Sequence, residues 1–331
     1  MASLSEAGQA RVRARSNIAL VKYWGKADRK LNTPAVGSIS VTLNDLWTDT
    51  EARFDPALET DRLLLNGVER ADQLDRVSRC LDLVRELAGT DIRAKVTSEN
   101  NFPTAAGLAS SASGFAALVG AATAALGLTC APRELSILAR RGSGSAARSV
   151  FGGFVEMHKG TAADGSDSFA EPLADAATWP LKVLVAITAR TEKAVGSGPG
   201  MSRSAETSPY YAAWVASHPP DLETARRAIA ACDFELLAEV SESSCLKMHA
   251  AAMSTRPPLV YWNGATVDCL NCVRELRAGG LPAFFTIDAG PQLKAICLPG
   301  HEGRLKSALA GIPGVSDVLV TELGPGLERL E

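Results

Sequence analysis

The sequence predicts a mixed α+β fold in two lobes. Its 331 residues, 46% of them hydrophobic, are enough for one large or two moderate cores. Strand-like alternation and helical periodicity are intermixed, without the strict strand–helix alternation of a parallel sheet. A buried-strand run near residue 185 separates a strand-rich first half from a helix-rich stretch, which suggests lobes at residues 1–185 and 186–331.

In chain order, alternating or apolar runs predict strands over Arg11–Tyr23, Ser38–Leu43, Thr50–Phe54, Arg62–Leu65 and Ile92–Ser98, with Asn66-Gly67 as a turn. Helical spacing predicts helices over Ala71–Ala88, Ser110–Leu126, Arg133–Arg141 and Ser145–Val150. After the strand Leu181–Thr188, helices are expected over Ser204–Ser217, Leu222–Ala231, Phe234–Met253 and Ala265–Ala278. The tail reads as strands Ala283–Ile287, Leu293–Leu298 and Ser316–Glu322, with a helix over His301–Leu309. Gly196 to Gly200 is the most flexible-looking stretch, and there is no internal repeat.

Composition narrows the function. The net charge of −3 and the absence of a basic block argue against nucleic acid or an anionic membrane as partner. The opening residues MASLSEAGQARVRAR lack the apolar run of a signal peptide, and no stretch reaches the ~18 apolar residues that span a bilayer, so a cytoplasmic protein is expected. Seven scattered cysteines do not form a disulfide framework; Cys269 and Cys272 sit in a helical pattern with no second Cys or His pair. The four histidines are equally dispersed, so no metal-ligand cluster emerges.

The segment NNFPTAAGLASSASG, ending at Gly114, has the makings of an anion site. Small residues let backbone N–H groups approach a phosphate, and the helix that follows points its unpaired amides and positive dipole end at the same place. Ser110 and Ser111 add hydroxyls suited to phosphate or a divalent cation. No Lys-Ser or Lys-Thr pair follows the glycines, which disfavours a Walker loop; a Ser-capped buried helix is the other reading.

Four further constellations carry polar chemistry. In SNIALVKYWGK, Lys22 and Lys26 either clamp an anion or lie in solvent. In RRGSGSAAR, a helix end turns through small residues and Arg148 can grip a carboxylate bidentately, or the turn is simply Ser-capped. The run from Lys193 through GSGPGMSR either closes over phosphates or connects two lobes. In FFTIDAGP, Asp288 ends an apolar strand, as a turn residue or as a general base.

Order and wording together resemble the diphosphomevalonate decarboxylases of the GHMP kinase superfamily. The blocks SNIALVKYWGK, SISVTLND, NNFPTAAGLASSASG, RRGSGSAARSVFGGFVE, GMSRSAETSP, KMHA and TIDAGP occur in the family's order over nearly the whole chain. The resemblance implies a GHMP-kinase-like fold, with an N-terminal ribosomal-S5-like lobe that binds nucleotide, a ferredoxin-like C-terminal lobe, and the active site between them. It implies a carboxy-lyase of the mevalonate pathway in isoprenoid biosynthesis: with ATP and Mg2+, mevalonate 5-diphosphate is phosphorylated on its C3 hydroxyl, then decarboxylated to isopentenyl diphosphate.

Carried over by motif, Asp288 would orient or deprotonate the C3 hydroxyl. Lys22 would pair with Asp288 and stabilise the transferring phosphoryl group, and Arg148, positioned by Asn17, would bind the C1 carboxylate. Pro103, Ala106, Gly107, Leu108, Ala109, Ser110 and Ser111 would form the phosphate loop, with Ser111 at Mg2+ or the γ-phosphate and Lys193 as a further phosphate contact. Tyr23, Lys26, Ser143, Gly144, Ser145 and Ser197 would hold the 5-diphosphate, with Met201 packing nearby. A homodimer is the family expectation.

Two positions depart from the pattern: Gly198 stands where some members carry an Arg that reaches the diphosphate, and Gln292 stands where Asn is commoner. A mevalonate 5-phosphate decarboxylase and a non-catalytic ligand sensor are the competing readings. Retention of Asp288, Lys22, Arg148 and Ser111 argues against the sensor and against kinase-only relatives.

Overall fold

The computed structural model describes residues 8–102, 110–191 and 193–330. In order, the elements are β1 (Gln9–Val21), β2 (Lys26–Asp28), β3 (Thr33–Pro34), β4 (Ser38–Phe54), β5 (Arg62–Leu65), β6 (Val68–Glu69), α1 (Ala71–Ala88), β7 (Ala94–Asn100), α2 (Ser110–Ala125), α3 (Pro132–Gly142), a 3-10 turn over Gly144–Val150, β8 (Phe154–Met157) and β9 (Ala170–Ala174). There follow β10 (Lys182–Ile187), α4 (Ser197–Thr207), α5 (Tyr211–Ala216), α6 (His218–Ala231), α7 (Phe234–Met253), α8 (Gly264–Ala278), β11 (Ala283–Ile287), β12 (Leu293–Cys297), α9 (Glu302–Ala310), β13 (Asp317–Glu322) and β14 (Glu328–Leu330). The fold is α+β, as expected.

Two larger sheets organise these elements. The eight-stranded sheet runs β14-β1-β4-β7-β5-β6, with β8 and β9 continuing from β4. The four-stranded antiparallel sheet runs β11-β12-β10-β13, which numbered within the sheet is 2-3-1-4, the ferredoxin-like order. β14 returns to the first sheet by pairing with β1, and β10 pairs along its whole length within the second.

The expected strands at Ser38–Leu43 and Thr50–Phe54 are one strand of 17 residues. The polar Asn44-Asp45 step reads as a break, but it is absorbed where the β1–β4 register shifts between Arg15↔Trp47 and Asn17↔Thr42. The Gly-Ser stretch is already helical from Ser197, with Pro199 tolerated in the first turn, and the helix ends ahead of Pro209, so the expected helix Ser204–Ser217 divides into α4 and α5. β2, β3, β6, β8, β9 and β14 were not anticipated: β2, β3, β6 and β14 run to three residues or fewer, and Pro172 breaks the strand pattern of β9. Asn66 and Gly67 both take left-handed φ, 52° and 77°, as a tight hairpin turn between β5 and β6 requires.

The Ala-rich α2 is buried on nearly all sides, and its small side chains allow close approach to the sheet: a Cβ on Gly120 would lie 3.0 Å from Val12. One hydrophobic core joins Ile18 of β1, Val41 of β4, Leu237 of α7, Val183 and Val185 of β10, and Phe284 and Ile296 of β11 and β12. The two sheets are thereby packed through the helical layer. The alternation of β11 and β12 puts Phe284 and Ile296 on that shared face, and Thr286 and Lys294 with them. Among the described residues no helix is long and apolar enough to cross a membrane, and all seven cysteines are free thiols.

Candidate active site

β1 of the first sheet and β11 of the second end beside each other. Lys22, one residue past β1, donates from Nζ to Asp288 Oδ1 at 2.7 Å and to the Ala19 carbonyl at 2.9 Å; Asp288 is the residue just past β11. The Lys22 side chain is 1% exposed and that of Asp288 26%, so the carboxylate is the member of the pair that opens to solvent. Lys294 Nζ stands 3.4 Å from the other carboxylate oxygen. Burial alone would push the Asp288 carboxyl up, but Lys22 and Lys294 outweigh it and hold the group well below the usual carboxylate range. Burial pushes the Lys294 ammonium down, against the pull of Asp288.

Arg148 lies in the 3-10 turn and is 2% exposed. Asn17 Oδ1 accepts from its Nε at 3.2 Å and from Nη2 at 3.0 Å; Ser40 Oγ accepts from Nε at 3.0 Å and Ser38 Oγ from Nη1 at 2.5 Å. Asn17 is itself fixed, donating to the Ser145 carbonyl at 3.0 Å and to Ser149 Oγ at 2.8 Å. No carboxylate among the described residues forms an ion pair with Arg148, and burial pushes its guanidinium down to about 10, still protonated at neutral pH. A buried guanidinium held only by neutral acceptors retains its full charge for an anion entering the cavity.

These groups open on a cavity of about 860 Å³. Its described lining includes nine Lys or Arg residues (Lys22, Lys26, Arg29, Lys30, Arg76, Arg79, Arg141, Arg148, Lys193) against one carboxylate, Asp288. Such a balance suits a ligand carrying several negative charges. The Tyr23 hydroxyl is buried without a hydrogen-bond partner, and burial pushes it up to about 12. A Cβ on Gly144 would lie 2.2 Å from that hydroxyl, so only glycine lets the turn come so close. Ser143, Gly144 and Ser145 line the cavity, and Ser143 Oγ lies 3.5 Å from Ser111 Oγ and 3.4 Å from Ser145 Oγ. Burial, then Arg76 and Arg29, pushes the Lys26 ammonium down.

Lys193 also faces the cavity and donates to the Ala289 carbonyl at 2.7 Å. Ser197 and Gly198 contribute the first turn of α4, and Met201 packs in the cluster containing Trp24 and Tyr261. A Cβ on Gly198 would meet nothing within 4 Å. Gln292 is buried away from the cavity lining, accepting from the Thr188 N–H at 2.6 Å and donating to the Ala189 carbonyl. Ser110 and Ser111 begin α2 at the cavity wall; Pro103, Ala106, Gly107, Leu108 and Ala109 lie outside the described residues.

Sequence reasoning missed several contributors. Lys294 is hidden in the apolar strand LKAIC, where a charge in a buried run was the available signal. Ser38 and Ser40 alternate on one face of β4, and Arg76 and Arg79 stand one turn apart on α1. No group of three or more His, Cys, Asp or Glu that could hold a metal ion occurs among the described residues. A divalent ion here would take oxygens from Ser111 and a ligand's phosphates, hard donors that suit Mg2+, which keeps several of its waters.

Residues 14–170 match the family model of the diphosphomevalonate decarboxylase-like N-terminal domain, and residues 183–311 that of the mevalonate 5-diphosphate decarboxylase C-terminal domain. The diphosphomevalonate decarboxylase of Candida albicans is 38% identical, over 96% of each chain. The solved mevalonate diphosphate decarboxylase of Staphylococcus aureus superposes with a TM-score of 0.93 at 38% identity, covering 99% of both chains. A structure of the protein designated MDDEF in complex with MVAPP, AMPPCP and magnesium gives a TM-score of 0.92 at 40% identity, covering 98% of this chain and 100% of that one.

Proposed function

Since the chain belongs to the diphosphomevalonate decarboxylase family, we infer from that membership and from the cavity that it carries out ATP-dependent decarboxylation of mevalonate 5-diphosphate. The products are isopentenyl diphosphate, CO2, ADP and phosphate. The observation that carries this reading is the carboxylate of Asp288, 2.7 Å from Lys22, in a cavity shared with Arg148 and otherwise lined by cations.

The chemistry asks for those groups. Hydroxide is a poor leaving group and phosphate a good one, so the C3 oxygen first attacks the γ-phosphorus of ATP; the O3–P bond forms, the bond to ADP breaks, and the hydroxyl proton is released past Asp288 to solvent. The C3–O bond then breaks with loss of phosphate while the C1–C2 electron pair becomes the C2=C3 double bond and C1 departs as CO2. Asp288, ionised at neutral pH, accepts the hydrogen bond of the C3 hydroxyl and orients it for attack, a role more positional than strongly basic. Lys22 neutralises charge on the transferring phosphoryl group and holds Asp288. Arg148, oriented by Asn17, Ser38 and Ser40, takes the C1 carboxylate.

Tyr23, Lys26 and the Ser143–Ser145 turn receive the 5-diphosphate, together with Ser197 and the neighbouring Arg76; Met201 packs behind. Ser110, Ser111 and Lys193 meet the nucleotide phosphates; Pro103 and residues 106–109, which the family resemblance assigns to the same role, lie outside the described residues. Mg2+ would be held by Ser111 together with the phosphates and would supply charge neutralisation between them.

The lobes of this reading correspond to the two sheets. The expected boundary at 185/186 falls within β10, whose pairing favours a division ahead of Lys182, with the chain's end returning to the first lobe through β14. Seven free thiols fit a reducing, cytoplasmic setting. A homodimer follows from family resemblance alone and is tested by sedimentation.

The test of function is product identification with ATP, Mg2+ and mevalonate, its 5-phosphate or its 5-diphosphate. Isopentenyl diphosphate with stoichiometric phosphate and CO2 is expected, and Asp288→Asn should lower kcat by about 10²–10⁴ while still binding ATP. A higher kcat/KM for the 5-phosphate, or no product, would overturn the assignment.

A further inference from the structure

β11 is an edge strand of the second sheet, so one side of its backbone has no strand partner among the described residues. Helix α7 covers that edge with side chains. Glu242 Oε1 accepts from the Phe285 N–H at 3.2 Å; Cys245 Sγ accepts from the Ile287 N–H at 3.2 Å and donates to the Ile287 carbonyl at 3.5 Å. His249 Nε2 lies 3.1 Å from that same carbonyl. Residues 242, 245 and 249 are spaced three and four apart on one face of the helix, and residues 285 and 287 are spaced two apart on the strand; the two periods bring each pair together. A carbonyl only accepts, so Nε2 carries the ring proton. Burial, the largest influence, pushes the His249 imidazole down to about 3, so the ring is neutral with its Nδ1 buried and unpartnered.

The same helix reaches the first sheet. Ser244, next to Cys245, accepts from the backbone N–H of Lys22 at 3.0 Å. One rigid element therefore grips Lys22 by its own amide and Asp288 by the peptide just before it, while Thr286 Oγ1 donates to the Ala19 carbonyl at 3.1 Å across the junction.

We propose that His249 and Ser244 are positioning residues that set the separation of Lys22 and Asp288 by tying the ends of β1 and β11 to α7. The proposal rests on the reading of Lys22 and Asp288 given above. Neither side chain lines the cavity among the described residues, so both act through the backbone of the reactive pair. A misplacement of about 1 Å can cost a reaction roughly a hundredfold.

The experiment compares His249→Leu, which removes the donor, with His249→Gln, whose amide nitrogen reaches about as far as Nε2. Expected are a fall in kcat of about 10- to 100-fold for His249→Leu with KM for ATP within about twofold, and recovery of most of that loss in His249→Gln. A folded His249→Leu with wild-type kcat, or a His249→Gln no better than His249→Leu at matched thermal stability, overturns the proposal. Should His249→Leu fail to fold, Ser244→Ala carries the test: kcat should drop about three- to tenfold and return in Ser244→Thr, and an unchanged kcat overturns it. Wild-type turnover of mevalonate 5-diphosphate is measured alongside; its absence overturns the functional reading itself, whereas active wild type with unaffected variants overturns only the positioning role.

Discussion

Arg148 shows how much a single side chain depends on its setting. Its fork is filled on one flank by Asn17 and Ser40 and at Nη1 by Ser38, all neutral, so the guanidinium is oriented without being discharged. A lysine carries the charge but lacks the planar fork, and would leave two or three of those acceptors unsatisfied. Arg148→Lys should therefore lower kcat/KM by at least about a hundredfold and reduce stability by about 1–3 kcal/mol. Steady-state kinetics beside a urea titration checks this; near-wild-type kcat/KM would remove Arg148 from the substrate site. At this scale the local strings marked Lys22, Arg148 and Asp288 as candidates, at a strand end or a small-residue turn, but left a structural alternative open for each; the family's motif order singled them out, and the structure puts all three on one cavity. Lys294 was not marked, because a lysine inside LKAIC does not reveal which acid its strand face will meet.

At the scale of elements, α1 and β7 are joined by a buried pair away from the cavity. Asp61 accepts from both terminal nitrogens of Arg85 at 3.0 Å and from the Ala94 N–H at 2.8 Å, and both residues are almost fully buried. Removing one partner of such a pair leaves an uncompensated charge, so Asp61→Asn should destabilise by about 3–5 kcal/mol, lessened by Asp82, which also bonds Arg85. Because neither residue lines the cavity, kcat measured where the variant is folded should stay at the wild-type value. A stability change without a kcat change is expected; a lowered kcat would show that α1 transmits strain to the site. Helices α1 and α7 and strands β5 and β11 match the residues expected of them, since each is bounded by turn or capping residues such as Gly89, Asp233, Asn66 and Gly280. The continuous β4 and the early start of α4 were missed because neighbours, not local preference, decide whether a polar or glycine-rich stretch continues an element.

At the scale of the whole molecule, two buried histidines tie the helical layer to the sheets: His218 of α6 bonds the Gly37 carbonyl at 2.8 Å, and His249 of α7 bonds that of Ile287. Burial pushes them down to about 4 and about 3, with Lys247 adding to the effect at His218 and Lys22 at His249. In the unfolded chain each titrates near 6.5. Above that pH both states are neutral and the histidines contribute no pH dependence; as pH falls from about 6.5 toward 4 the unfolded state binds protons that the folded state refuses, so stability declines. The urea midpoint should fall between pH 7 and 5, and less steeply in His218→Gln; an equal slope in that variant would dismiss His218 as a source. The sequence by itself determined the α+β class and most helices and strands, because periodicity and turn chemistry are written within a few residues, and the order of its motifs carried the family resemblance that singled out Lys22, Arg148 and Asp288. Only the tertiary structure decided that Lys22 meets Asp288, that Lys294 joins them, that Arg148 stays without a carboxylate among the described residues, and that α7 spans the junction. Those contacts link residues more than two hundred positions apart, or faces of strands whose partners are chosen by the packing of the shared core, and no local pattern records which surfaces will meet.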